Sequence, residues 1–415
     1  MKKFYIALVG ILFVCIGAVG QTTFTYQGIK YGINSKGEAY VADNPNVSGN
    51  ITIPGTVYNG DKSYSVMEIG NEAFECNQNL KSISIGGYVR KIGGGAFFEC
   101  KALTKVTMSD YMQEIGPEAF AYCSALTDIK LPGSINTIGV YAFSDCVSLE
   151  SIKIPLYLND IKEFTFDGCR SLKTVNTEEA AFLKSIGENA FNGCSSLYDL
   201  TLPETVTRIG DQALGNCSSL DRFDIPESVA SIGKSAFLNC TALSSIVIPS
   251  KISVVDDNTF SGCTSLTTVT LPESVTTIGQ EAFSNCKLTA IEFPESLTNI
   301  GSNAFSFCDW LETVTCTSYI PPVMESFNAF SNAAYDNATL IVPDEAYYDY
   351  LQSYGWDMFE NTKSAAIEDV FVETTTVADI FNLQGIIIKR NASKEDLHSL
   401  PAGIYIVNGK KIVVK

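Results

Sequence analysis

Histidine is nearly absent from this chain: His398 is the single one in 415 residues. A Ser-His-Asp triad is therefore excluded from the body of the protein, and so is a multi-histidine metal centre. The thirteen cysteines include no C-x-x-C pair, the clustered spacing that thiolate metal sites use. No metal or cofactor is expected. Positive charge is also in short supply, with 28 Lys and Arg against 46 Asp and Glu, a net charge of −18 and a pI near 4.5. Such a surface repels phosphate backbones and anionic lipid. No nucleic-acid partner is expected, and membrane contact only through export or surface attachment. After residue 20 no apolar run is long enough to cross a bilayer. Lysine or paired-carboxylate catalysis stays open on composition alone.

What is present is apolar and regular. Hydrophobic residues make up 46% of the chain and charged residues 18%, enough for a large core and too apolar for disorder. Residues 1–20 have the form of a cleavable signal peptide. Lys2 and Lys3 precede an apolar stretch from Phe4 to Val19, and Ala18-Val19-Gly20 supplies small residues ahead of a cut before Gln21. Cys15 follows Val14 inside the apolar run, which is the wrong setting for a lipidation site.

The cysteines then fall into register: Cys76, Cys100, Cys123, Cys146, Cys169, Cys194, Cys217, Cys240, Cys263, Cys286 and Cys308, at steps of 22 to 25 residues. Phenylalanine stands three residues before nine of them; Phe74 stands two before Cys76, and Leu214 takes the place before Cys217. The unit is I-G-x-x-A-F-x-x-C-x-x-L-x-x-I-x-[IL]-P-x-x-V-x-x, complete in residues 186–209. In its L-x-x-I-x-[IL] part, alternation turns pairs such as Ile129 and Leu131 to one side, which is a strand that the following Pro132 ends. A second short apolar pair, such as Val206 and Ile209, follows. The glycine after it suits a turn with an unusual backbone angle. Ala-Phe-x-x-Cys has the spacing of a single α or 3₁₀ turn. One unit cannot bury its own apolar edge, so the units must stack. The expected fold is a leucine-rich-repeat solenoid of about eleven coils with parallel ladders and internal Phe and Cys spines. At about 5 Å per coil it extends roughly 50–55 Å. Cysteines at one equivalent position per coil point the same way, so free buried thiols are expected and not disulfides.

The unit resembles the BspA-type (Treponema-type) leucine-rich repeat over about residues 67–318. That resemblance implies a bacterial secreted or surface protein, in a family where some members act as adhesins for host extracellular proteins. It does not transfer any individual partner.

Residues 21–66 and 319–364 are expected to cap the stack. The first has a hairpin of residues Tyr26 to Ile33 and Glu38 to Ala42, then Asn50 to Pro54 imitating a repeat strand. In the second, Thr339 to Pro343 forms a last strand, and Asp344 caps a helix-like stretch through Tyr354. The cap aromatics Tyr347, Tyr348, Tyr350, Tyr354 and Trp356 either cover the last coil or bind sugar. Residues 365–415 form a small β module. Its L-Q-G step, its A-G-I-Y-I-V-N-G step and its terminal K-I-V-V-K resemble the C-terminal sorting domains of the Bacteroidetes type IX secretion system, though it is shorter.

The residues flanking the inward strand positions should face outward along the ladder. Most are Ser or Thr. The two charged groups are Lys105, Asp128, Lys130 and Lys153, and Asp199, Arg222 and Asp224, and these form the candidate ligand face. The expected partner is a large extracellular protein, of host matrix or another cell surface. A glycan is the alternative, and a structural spacer of the cell envelope a third reading. An enzyme is the least favoured class, because regular repeats offer no cleft or convergent side chains.

Overall fold

The computed structural model describes residues 23–365 and, beyond them, 378–382, 386–392, 396, 400, 403–407 and 410–414. The signal-peptide segment 1–20 lies outside the described residues, as do Gly385 and the terminal Lys415.

The chain winds into a parallel solenoid with two β ladders and a turn-built third side. On the first side, Gly49–Ile53, Leu80–Ile85, Lys105–Thr107 and Asp128–Ile129 pair in parallel, and Ser151–Lys153, Thr174–Asn176 and Asp199–Leu200 form the next stretch. The second ladder is made of two-residue strands such as Lys91–Ile92, Glu114–Ile115 and Thr137–Ile138. Alternation works as expected: in Ser151–Lys153 the outer residues are exposed and Ile152 is buried. One apolar core runs from Ile29 to Phe359.

The Ala-Phe-x-x-Cys segment is not a helical turn. It is a run of β-turns with left-handed residues at two positions per coil, such as Glu118 (φ 55°) and Tyr122 (φ 61°). Alternate amides bond within the coil, Phe98 N–H to Gly95 at 3.0 Å and Cys100 N–H to Phe97 at 3.1 Å. The others turn outward. Gly95, Phe97 and Glu99 donate to Pro117, Ala119 and Ala121 of the next coil at 2.8–2.9 Å. A 3₁₀ turn would keep every amide inside its own coil and leave this side without inter-coil bonds. A left-handed non-glycine residue costs on the order of 1–2 kcal/mol, and the ladder bond it frees offsets that.

The phenylalanines stack along the axis. Neighbouring rings from Phe74 through Phe191 lie 5.1–5.4 Å apart at 3–8°. The stack stops at Leu214 and resumes from Phe237 to Phe330. Where Leu214 is smaller, Phe223 fills the space, 5.3 Å from Phe237 and tilted by 56°. That ring occupies the place of an inward Ile or Val, and no strand forms in residues 221–226.

All twelve described cysteines are free. Ten of the eleven repeat cysteines are buried; Cys76, at the first coil, is exposed. The spine has a polar purpose that hydrophobicity alone does not require. From Cys100 onward each Sγ donates to the backbone oxygen at the Phe position of the preceding coil, at 3.0–3.3 Å. Cys76 lies one position short of the column, two residues after Phe74, and the buried Asn77 holds that place instead, donating to the backbone oxygens of Asn44 and Val47. Burial pushes the thiols up, Cys100 and Cys217 to about 12, which keeps the S–H donor in place.

The glycine column also differs from expectation. Gly116, Gly139 and Gly210 have no positive φ. They are required by proximity: a Cβ on Gly139 would meet Pro117 N at 2.3 Å and Gly116 C at 2.5 Å. Backbone cannot swing aside as a side chain can. Gly139→Ala is therefore expected to cost about 1–3 kcal/mol in urea unfolding. Gly133→Ala, with nothing within 4 Å, should be within about 0.5 kcal/mol of the parent. Equal effects would refute the close-approach account.

The ends are closed by different devices. Ile29–Ile33 pairs antiparallel with Ala39–Val41, which joins the second ladder through Lys62–Ile69. At the other end Phe330 stacks on Phe305 at 4.9 Å. A helix the sequence pattern did not reveal, Asn332–Asn337, follows. Asp344 lies inside a 3₁₀ turn, Asp344–Ala346, and the helix after it spans only Tyr347–Gln352. The last strand of the ladder is Asn361–Ser364, beyond Thr339–Val342. The C-terminal module is a four-stranded antiparallel sheet in the order Ile387–Ala392, Ala378–Asn382, Gly403–Val407, Lys410–Val414.

Candidate binding surfaces

All seven charged residues singled out in the sequence are exposed on the first ladder side. The structure brings some together and separates others. Lys105 and Asp128 are register partners on adjacent strands, and Lys130 follows one buried residue later. Lys153 lies opposite Asn176 and is tied to Glu179 at 2.7 Å, so its charge is partly matched within the chain. Asp199 lies opposite Thr174, and the strand ladder does not continue from it to Arg222. Arg222 and Asp224 approach each other at 3.7 Å with side chains 79% and 90% exposed. An ion pair so exposed is worth about 0–1 kcal/mol, so it adds almost nothing to stability.

Two aromatic surfaces escaped the sequence reading. Tyr88, Tyr111, Tyr157 and Phe182, each 49–61% exposed, occupy one equivalent position at the corner after the first strand. Tyr157 and Phe182 stack at 5.8 Å. In four other coils that position is Ser134, Ser228, Ser274 and Ser296, whose hydroxyls donate to a carbonyl of the preceding coil at 2.6–2.7 Å. Serine closes the corner there, and an aromatic ring leaves it open and apolar. The signal was legible: each ring directly precedes the buried second-ladder residue, Val89, Met112, Leu158 or Leu183. On the turn side, Tyr141 and Phe164 stack at 4.5 Å and Phe98 meets Tyr122 edge-on at 5.5 Å. Burial, then Asp145, Asp167, Glu99 and Glu118, pushes the Tyr122 phenol above its ordinary range. Burial does the same to the carboxyl groups of Asp145 and Asp167.

The five cap aromatics divide. Tyr350 and Trp356 are fully buried, Tyr347 is half-buried, and only Tyr348 and Tyr354 are exposed. Tyr350 donates its hydroxyl to Ser318 at 3.1 Å, and Trp356 its indole N–H to Pro322 at 2.8 Å. Their primary role is to seal the last coil. Among the described residues there is no cluster of three or more metal-ligating side chains.

These features define a repeat solenoid with a long, polar, in-register outer surface edged by aromatics. The chain belongs to the BspA type leucine rich repeat family, which matches it in six copies across residues 67–183, 180–279 and 231–348. A leucine-rich repeat protein of Bacteroides ovatus is 27% identical, with 82% of this chain and 98% of that chain covered and a TM-score of 0.53. A leucine rich cell surface protein of Faecalibacterium prausnitzii is 29% identical over 71% of this chain and 94% of that one, with a TM-score of 0.43. The pneumococcal vaccine antigen PcpA is 17% identical over 83% of this chain and 97% of that chain, with a TM-score of 0.45. Comparison with curated proteins found no significant match.

Proposed function

We propose that the protein is an exported, non-enzymatic, adhesin-like interaction protein, displayed at the cell surface or secreted, which holds a large extracellular protein along its repeat surface. The observation that carries this reading is the in-register outer row of the first ladder, in which Lys105 and Asp128 lie side by side and Lys130 follows. Such a row offers one extended contact area and no enclosed pocket, which suits a macromolecule better than a metabolite. The exposed corner rings Tyr88, Tyr111 and Tyr157 support it, because tyrosine is enriched at protein interfaces. Residues 1–20 would direct export, and residues 365–415 would serve in sorting to the outer surface, in keeping with their resemblance to type IX secretion sorting domains.

The test is surface plasmon resonance of the mature chain against a panel of purified extracellular matrix proteins. Replacing Lys105, Lys130 and Lys153 together with glutamate is expected to weaken the bound member at least about tenfold, since each like-charge contact at an interface is costly. Unchanged binding would remove this face as the site. A chain that binds no member saturably would favour the spacer reading.

A further inference from the structure

The turn-side ladder ends in an unusual way. In each of the ten coils from Glu72 to Asn285, three alternate amides donate to the next coil. Glu281, Phe283 and Asn285, for example, donate to Ser302, Ala304 and Ser306 at 2.8–3.0 Å. In the eleventh coil only the middle bond survives, Phe305 N–H to Ala329 at 2.7 Å. The equivalent amides of Asn303 and Phe307 have no backbone or side-chain acceptor among the described residues. Both residues keep the left-handed conformation of the other coils, with φ of 59° and 58°. Their amides thus retain the geometry that, ten times over, points at the next coil.

What lies beside them is a groove of about 640 Å³ between this coil and the C-terminal cap. Its lining combines Phe307, 69% exposed, with the carboxamides of Asn303, Asn328 and Asn332 and the carboxylates of Glu281 and Asp309. No lysine or arginine lines it. An extended peptide cannot take the place of the missing coil, because the cap segment 328–330 already holds the middle rung. An anion would meet the two carboxylates with no cation to offset them. A neutral sugar suits the set: hydroxyl oxygens accept from the two free amides, hydroxyl hydrogens go to carboxylate and carboxamide oxygens, and the apolar face of the ring lies on Phe307.

We infer that this groove is a binding site for a neutral saccharide, separate from the ladder face and independent of the reading given to that face. The experiment is a glycan microarray probed with the mature chain, followed by calorimetry with the neutral oligosaccharide that binds best. Saturable binding is expected, weakened roughly tenfold by Phe307→Ala and by Asn328→Ala. Both residues are exposed, so the thermal midpoint of each variant should match the parent. The glutamate variants at Lys105, Lys130 and Lys153 should bind the sugar normally, which distinguishes failure here from failure of the ladder-face proposal. Hydrogen exchange adds a readout of the amides themselves: the peptide containing Asn303 and Phe307 should gain protection when that oligosaccharide is added. The inference is overturned if no neutral glycan binds, if only sulfated or sialylated members do, or if both variants bind as the parent does.

Discussion

Phe120→Ala is expected to destabilise the protein by about 3–5 kcal/mol, the range for removing a fully buried aromatic side chain. Phe120 is fully buried and stacked between Phe97 at 5.1 Å and Phe143 at 5.4 Å. Its neighbours cannot close the gap, because each ring is fixed to its own coil by the rungs on either side of it. The effect should also be directional. In a stack each coil contacts only its neighbours, so stability is close to a sum of coil and interface terms. Loss of one ring weakens two interfaces at once, and the urea transition should broaden or split at that point. Tyr111→Ala, on an exposed corner ring, is the control and should shift stability by about 0.5 kcal/mol or less. A loss below about 1 kcal/mol for Phe120→Ala would mean that the ring stack is not what joins the coils.

Trp356→Ala should cost a similar amount, about 3–5 kcal/mol, but its consequences should be confined to one end. Trp356 is fully buried against Tyr350 at 5.1 Å and within 6.3 Å of Phe293 and Phe330. It covers the apolar end that every stack leaves exposed. Its removal also strands the carbonyl of Pro322, which now accepts the indole N–H. Trp356→Phe would keep most of the packing and lose the bond, at about 1–3 kcal/mol for a buried group left unsatisfied. Hydrogen exchange should show the last coils, from Phe283 to the cap, opening in Trp356→Ala while the first coils keep their protection. Uniform loss of protection along the chain would show that the solenoid unfolds as one unit and that the cap is not a local seal.

Much of the molecule was legible because a repeat states its own rules many times. Residues fixed by a column, such as the Phe and Cys spines and the alternation around Ile129, could be placed without coordinates. The reasons behind two columns could not. The glycines looked like turn residues, and they are in fact points of backbone contact between coils, a distance that no single unit encodes. The cysteines looked like small apolar fillers, and the ten from Cys100 to Cys308 are also donors to the coil before. The charged face was half legible. Its residues are all exposed, as alternation requires, but their grouping depends on which strands lie side by side, and Phe223 interrupts the ladder between Asp199 and the strands that follow.

The sequence by itself determined the winding: apolar periodicity over a repeat of some twenty-three residues leaves each coil an edge that only another coil can cover. Tertiary structure alone decided what happens where the repetition stops. The burial of Tyr350 and Trp356 and the two amides at Asn303 and Phe307 that lack an acceptor among the described residues arise at an end, where the repeating coils give way to the cap. A periodic pattern carries information about its own interior, and its boundaries are settled by whichever non-repeating segments pack against them.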